Sequence, residues 1–460
     1  MLKLWLFTDT HLFLRDPMPV QAPRTDQKCM LESAAILDAA LAEFLDAPDC
    51  DILLLAGDLT CDGHAAEHRG MLERLHRVQA AGKRVLAITA THDCDQAKRG
   101  ERNETGLPPL EHPESKVFRE ELPGLYYAFG ARDAIARCEA DGFSYVAQLA
   151  PGYRLLCLND DGNGRGFCGF DENVMAWILA QIEDARAAGD YIFGMTHHPS
   201  LPPSPIYPII SKRDMLGDWE ECTRTLANAG LRCLFTGHSH MLNIAPIVTP
   251  EGSPYWDINT SALCGYPGAY RVIELEDNLL RVRTQAIRDF AGEKNGLSAR
   301  AYLQRHFDYL LRSIIESAAN DIALLSRHAV GFSVAPEKVL KMKIPITLAG
   351  KFANKITAGG LGTLLLCRRK IPKEARPLLV KELFLEFVRN IFAGEESYSR
   401  ETPVGQAVLA VAKRLEPILR KPLAKIGVTD LPAFMLSLIY DDSPDHWVEI
   451  DLEGGIPTCP

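Results

Sequence analysis

Five short stretches follow one another in the first 240 residues: Asp9-Thr10-His11, Gly57-Asp58, Thr91-His92-Asp93, His197-His198-Pro199 and Gly237-His238-Ser239-His240. Imidazole and carboxylate together suit Mn, Fe, Zn or Ni rather than Ca or Mg, and none of the five contains a cysteine. Two divalent ions about 3.5–4 Å apart need a bridging anion, and an Asp directly after a Gly at a strand end, as Asp58 is, can supply one. Asp9 and His11 stand two apart on an extended segment, and Gly237 lets the chain turn so that His238 and His240 point inward. Each fragment alone recurs by chance in chains of this length. The five in order read as a site for two divalent transition metal ions.

The elements that must position them are legible too. An apolar, strand-like run precedes every stretch, at residues 2–7, 52–55, 84–88, 191–195 and 232–235. The chemistry therefore sits at strand C-terminal ends, where open α/β sheets keep their sites. Helical periodicity at 30–44, 64–81 and 173–188 alternates with these runs. Further strands are expected at 145–148, 155–158 and 255–259, with a closing hairpin at 270–275 and 279–283. From about Leu297 the pattern changes to long helices, at 299–327, 336–342, 373–392, 404–419 and 431–440. The expectation is an α/β domain over residues 1–290 and a helical C-terminal domain over 297–460, whose tail at 447–452 alternates like a short strand.

In its motifs the chain resembles the calcineurin-like metallophosphoesterase superfamily, whose signature runs Asp-x-His, Gly-Asp, Gly-Asn-His-Asp/Glu, His and Gly-His-x-His. The resemblance covers about residues 1–285. Residues 57–63 (Gly-Asp-Leu-Thr-Cys-Asp-Gly), 91–93, 129–134 (Phe-Gly-Ala-Arg-Asp-Ala) and 266–271 (Tyr-Pro-Gly-Ala-Tyr-Arg) are similar to the class III cyclic-nucleotide phosphodiesterase branch. The resemblance implies a four-layer α/β/β/α sandwich, with one metal held by Asp9, His11, Asp58 and His240 and a second by Asp58, His197 and His238. Water between two such cations has its pKa lowered towards about 7, giving hydroxide that attacks phosphorus in line. His92 would face the leaving oxygen, with Asp93 orienting its ring, since a carboxylate favours the cationic imidazole that donates a proton. The chain departs from the signature at Thr91, where the family carries an Asn. A hydroxyl is a poor ligand, so water or substrate fills the place and the second metal binds more weakly.

The implied function is hydrolysis of a small phosphodiester, cyclic-nucleotide-like, by attack of a metal-bridging hydroxide. The alternative is a binding or regulatory module that keeps the fold with turnover weakened through Thr91. His198 adjoins His197, and neighbouring side chains on an extended strand end point oppositely, so His198 takes a substrate-side or supporting role, or a structural one. Asn159 and Asp160 end another apolar run, 154–158, and either reach the cleft rim or turn into the Gly162-Asn163-Gly164 loop. Five prolines within 199–208 make a stiff loop beside His197, expected to shape substrate access.

Composition agrees with a soluble enzyme of two domains: 460 residues, 47% of them hydrophobic, can fill a sizeable core. Residues 1–300 hold 29 Lys and Arg against 42 Asp and Glu, a net of −13, and residues 301–460 hold 21 against 18, a net of +3. The acidic half argues against a nuclease that clamps DNA. Nine basic residues within 341–376 stand against Glu374 alone but lack interleaved aromatics, so nucleic-acid stacking is not predicted. The strand at 2–7 leaves no room for a leader, and Lys351 and Lys355 interrupt the apolar stretch 344–367, so no membrane span is predicted. Twelve cysteines without CxxC spacing suit reduced thiols in a cytoplasm.

Overall fold

The computed structural model describes residues 1–14, 27–94, 115–161, 168–328, 336–341, 343–442 and 445–454. The Gly162-Asn163-Gly164 loop and Met342, the last residue of an expected helix, lie outside them. The chain divides into two compact units, one of residues 1–203, 213–306 and 445–460, the other of residues 204–212 and 307–444.

The first unit begins with strand β1 (Leu2–Phe7), helix α1 (Ser33–Asp46), β2 (Ile52–Ala56), α2 (Ala65–Ala80) and β3 (Arg84–Ile88), the three strands pairing in parallel. These strands are apolar on both faces because both are covered. In β1, Leu4 and Leu6 face a core shared with the second sheet, while Trp5 stacks on Tyr270 at 4.7 Å and meets Phe44 of α1 at 5.6 Å between ring centroids.

A seven-stranded sheet follows, built from β4 (Ala136–Arg137), β5 (Tyr145–Ala150), β6 (Tyr153–Cys157), β7 (Tyr191–Met195), β8 (Cys233–Thr236), β9 (Asn243–Val248) and β10 (Pro254–Asn259) in the order β4-β5-β6-β7-β8-β10-β9. β6, β7, β8 and β10 are parallel neighbours. The sequence reading misses β9 because Pro246 argues against a strand. β9 lies at the sheet edge, where a missing N–H is tolerated. Between β6 and β7 runs helix Glu172–Ala188, started by the Asp171 carboxylate accepting from the Asn173 and Val174 N–H groups and ended by Gly189 at φ 75°.

The chain then returns to the first sheet as an antiparallel hairpin, β11 (Ala269–Glu276) and β12 (Leu279–Ala286). The late segment β13 (Trp447–Asp451) pairs antiparallel with β12, completing the order β13-β12-β11-β1-β2-β3. Between the sheets Leu6, Leu54, Leu155, Phe193, Phe235 and Ile273 are fully buried, each side chain contributing about 1.5–3 kcal/mol relative to exposure. Ile178, Ile182 and Leu226 of the helices on the second sheet's far side form another core with Leu156 and Leu234. The result is two mixed sheets between helical layers, the α/β/β/α fold expected. Arg271, fully buried, donates to the carbonyls of Asn259 and Asp445 at 2.6 Å each and so fastens the segment entering β13 to the sheets.

The second unit is helical. Its helices include Ile322–His328, Lys343–Ala353, Ala358–Leu364, Val380–Ala393, Pro403–Ala424 and Leu431–Ser437. The helix expected over 299–327 ends at Asn320, because the Asp321 carboxylate accepts from the Leu324 N–H and starts a new helix. The one expected from 373 starts at Val380, since Pro377 breaks an interior. Phe307 packs on Phe392 at 4.7 Å between ring centroids, and Arg312 pairs with Glu382. Among the described residues no helix is long and apolar enough to cross a membrane, and the described cysteines form no disulfide.

Candidate metal centre

The loops leaving β1 and β2 run side by side. Asp9 N donates to Gly57 O at 3.1 Å, His11 N to Asp58 O at 3.0 Å and Leu12 N to Leu59 O at 3.0 Å. Asp9, His11, Asp58, His238 and His240 all have positive φ, between 37° and 62°. A non-glycine residue in such a conformation costs on the order of 1–3 kcal/mol and persists where surrounding structure enforces it, often at functional sites. Gly57 (φ 88°) could not be replaced cheaply, because a Cβ there would lie 2.7 Å from both Ala90 Cβ and His197 Nδ1. A Cβ on Gly237 would strike Thr8 and the Asp9 carboxylate. The glycines thus permit the close approach of five strand ends, those of β1, β2, β3, β7 and β8.

The side chains converge in two groups, Asp9 with His11 and His240, and Asp58 with His197 and His238. His240 Nε2 lies 3.2 Å from Asp9 Oδ1 and 3.3 Å from His11 Nε2. His197 Nε2 lies 3.1 Å from Asp58 Oδ2 and 3.9 Å from Asp9 Oδ1, and His11 Nε2 lies 3.8 Å from Asp58 Oδ2. Ligands about 2.0–2.2 Å from a common cation stand at separations of this order. Asp9 Oδ1, His11 Nδ1 and His197 Nε2 are buried without an aligned hydrogen-bond partner. Buried polar atoms without partners are costly, and an ion would satisfy Asp9 Oδ1 and His197 Nε2. His197 donates Nδ1–H to Ala56 O at 2.9 Å and His240 Nδ1 rests on Gln27 Oε1, which leaves Nε2 of each ring as the donor to a metal. The residues present fit a pair of divalent ions.

The electrostatics carry the same signature. Burial opposes the Asp9 and Asp58 charges, yet the surrounding imidazoles hold both carboxyls well below the usual range. Burial also opposes a charged His197, but Asp58 and Asp9 override it and raise its pKa to about 10, while burial takes His11 down to about 3.

Around this centre the structure sorts the other candidates. The His92 N–H donates to Asp58 Oδ1 at 2.9 Å, and the His92 ring lies T-shaped to His11 at 5.0 Å between centroids. The carboxylate on the His92 ring is Asp62, at 2.7 Å from Nδ1, which corrects the expectation that Asp93 orients it. Residues 91–93 form a tight turn that sends the Asp93 side chain back to Ala90 N, Thr60 N and Thr60 Oγ1. Asp93 therefore braces the loop, and burial together with the Asp58 charge pushes its carboxyl up to about 7. Burial and Lys28 disfavour a charged His92, but Asp58 and Asp62 outweigh them and hold its pKa at about 9.

Thr91 Oγ1 donates to Asp161 Oδ1 at 3.3 Å. His198 Nδ1 meets Asp160 Oδ1 at 2.8 Å, and its ring lies 4.2 Å from that of His238 and 5.1 Å from that of His197. Asn159 accepts from Arg119 Nη2 at 2.8 Å and donates to Thr89 O at 2.9 Å. Sequence reasoning missed Asp62, Asp161, Gln27 and Lys28. Asp62 sits inside the stretch that begins at Gly57, but its partner is 30 residues away and no spacing rule joins them.

The calcineurin-like phosphoesterase family model matches residues 2–242. No curated protein matches the chain. Among solved structures, a dimetal phosphatase from Danio rerio is similar over 62% of this chain and 96% of its own, at 12% identity and a TM-score of 0.40. A sulfate thiohydrolase from Thermus thermophilus is similar over 68% of this chain and 61% of its own, at 15% identity and a TM-score of 0.35. A NAD nucleotidase from Haemophilus influenzae is similar over 78% and 61%, at 11% identity and a TM-score of 0.30.

Proposed function

Because the chain belongs to the calcineurin-like phosphoesterase family, we propose that it hydrolyses a small phosphodiester, cyclic-nucleotide-like, at a dinuclear centre of divalent transition metal ions. The observation that carries the reading is the convergence of Asp9, His11, His240, Asp58, His197 and His238 on strained, buried strand ends. Asp9, His11, Asp58 and His240 would hold one ion and Asp58, His197 and His238 the other. Mn, Fe, Zn and Ni all suit these donors. When bound, the ions supply an activated water and neutralise phosphoryl oxygens.

The protein's own groups do the rest. Asp58 Oδ2 lies 3.8 Å from His11 Nε2 and 3.1 Å from His197 Nε2, within reach of both halves, and Oδ1 fixes His92 through the backbone N–H. The cationic His92 ring, held by Asp62, donates its proton to the leaving oxygen. Asp160 orients His198 and the backbone of His197. Asn159, whose Oδ1 accepts from Arg119 Nη2, is the candidate contact for the rest of the substrate, with Arg119 bringing a guanidinium beside it. We assign the chemistry to a catalytic domain of residues 1–290, with 297–460 as a helical C-terminal domain whose strand-like tail, β13, pairs with β12 of the catalytic domain, and place the protein in the cytoplasm because its cysteines lack CxxC spacing.

Thr91 favours a second reading, a binding module with the same fold and little turnover. Turnover decides between them. Protein loaded with Mn²⁺ should hydrolyse bis(p-nitrophenyl) phosphate and cyclic nucleotides faster than p-nitrophenyl phosphate, lose activity in EDTA and regain it with Mn²⁺. Metal binding without hydrolysis of any of these would select the binding module.

A further inference from the structure

The two halves of the centre are unequally furnished. The Asp9 half has a carboxylate of its own in addition to the shared Asp58, whereas the other has Asp58, His197 and His238 and no acid of its own. Divalent ions held by nitrogen and oxygen take four or more ligands. At the neighbouring turn Thr91 presents a hydroxyl, which donates to the carboxylate of Asp161 at 3.3 Å.

Asp161 is 7% exposed, and among the described residues its other oxygen receives only a long contact from Asn159 Nδ2, at 3.4 Å. Its neighbour Asp160 is fully engaged. Asp160 Oδ2 accepts from Thr196 Oγ1 at 2.7 Å, His198 N at 2.7 Å and His197 N at 3.2 Å, and Oδ1 meets the His198 ring. Arg119, the nearby cation, directs Nη2 to Asn159 rather than to Asp161. Among the described residues Asp161 is therefore a buried carboxylate that accepts from two weak neutral donors and has no ion pair with the nearby Arg119, an arrangement that a bound cation would relieve. Asp161, Asp160 and His198 offer ligand atoms within 4.8 Å of one another, and the His198 ring packs on both His197 and His238. Asp161 thus forms a group of its own with Asp160 and His198, joined to the poorly furnished half through the His198 ring and through Thr91, whose neighbour His92 donates its N–H to Asp58.

We propose that Asp161 is a ligand of the second ion, its carboxylate supplying the donor that Thr91 cannot, with the Thr91 hydroxyl positioning it. The proposal rests on the dinuclear reading above. It makes the departure at Thr91 a relocation of a ligand from one loop to another, so the second ion is retained.

The test titrates metal-free, full-length protein with MnCl₂, counting bound ions by equilibrium dialysis with elemental analysis and recording the Mn²⁺ electron paramagnetic resonance spectrum. Wild-type protein should bind two ions and show an exchange-coupled spectrum. Asp161→Ala should keep the first ion, weaken the second by about tenfold or more and show a mononuclear six-line spectrum. Adding Thr91→Asn to Asp161→Ala should restore the second ion and the coupling. Unchanged binding of both ions in Asp161→Ala, or no rescue by Thr91→Asn, overturns the proposal. Should Asp161→Ala fail to fold by circular dichroism, Asp161→Asn carries the comparison, and an unchanged second affinity there overturns it equally. Fewer than two ions in wild-type protein would instead overturn the dinuclear reading itself.

Discussion

The two halves of the centre differ at His197 in how they are held in place. Asp9, His11 and His240 are presented by backbone in the left-handed region, on loops bonded to one another and closed over glycines. His197 has ordinary backbone and is aimed by others: Ala56 O fixes its ring, and Asp160 accepts from its N–H. The first half is preorganised by main-chain strain at all three ligands; the second shares that strain at Asp58 and His238 but relies on a side-chain network at His197. A network can be loosened one member at a time without unfolding the loops, so single substitutions should discriminate between the two ions.

The largest effect expected outside the ligands themselves is at His92, which touches both halves through Asp58 and His11 but is assigned to neither ion. His92→Ala should lower kcat on bis(p-nitrophenyl) phosphate by about 10²–10³-fold with the content of both ions unchanged, and Asp62→Asn by about tenfold. Loss of metal from His92→Ala would break the distinction between ligands and proton donor.

Asp160→Asn should sharpen the comparison. It leaves an amide oxygen for the backbone N–H groups but removes the charge facing His198, and should weaken the second ion by about 10–100-fold while sparing the first, as read by stepwise calorimetric titration with Mn²⁺. Equal weakening of both would mean that the halves are not separately supported.

The smallest effect concerns pH. In metal-free protein His197 holds its proton up to about 10, so at neutral pH an ion must displace that proton. The affinity of the His197 half should therefore climb by at most about tenfold as pH rises from 7 to 8. That of the Asp9 half should change less, because burial keeps His11 neutral across this range. Parallel dependence of the two affinities would contradict the asymmetry.

The grouping of the candidate ligands was legible in sequence because each follows an apolar run that becomes a strand, and strand ends in α/β sheets gather in space. The layered architecture was legible for the same reason. Asp93 misled because adjacency in sequence does not survive a tight turn: its side chain returns to Ala90 and Thr60 while Asp62 arrives from another loop. The alternation at 447–452 reads as a strand, but its pairing with β12, more than 160 residues earlier in the chain, is a long-range contact with no local signal. Asp160 and Asp161 look like turn residues from their neighbours Asn159 and Gly162, and only the fold shows them buried against His198 and Thr91.

The claim that Asp58 joins two ions is tested most directly by anomalous scattering at the manganese edge from crystals grown with Mn²⁺. Two peaks should appear about 3.5–4 Å apart on either side of the Asp58 carboxylate, one against Asp9, His11 and His240 and the other against His197 and His238. A single peak, or two peaks of which neither touches Asp58, would contradict it.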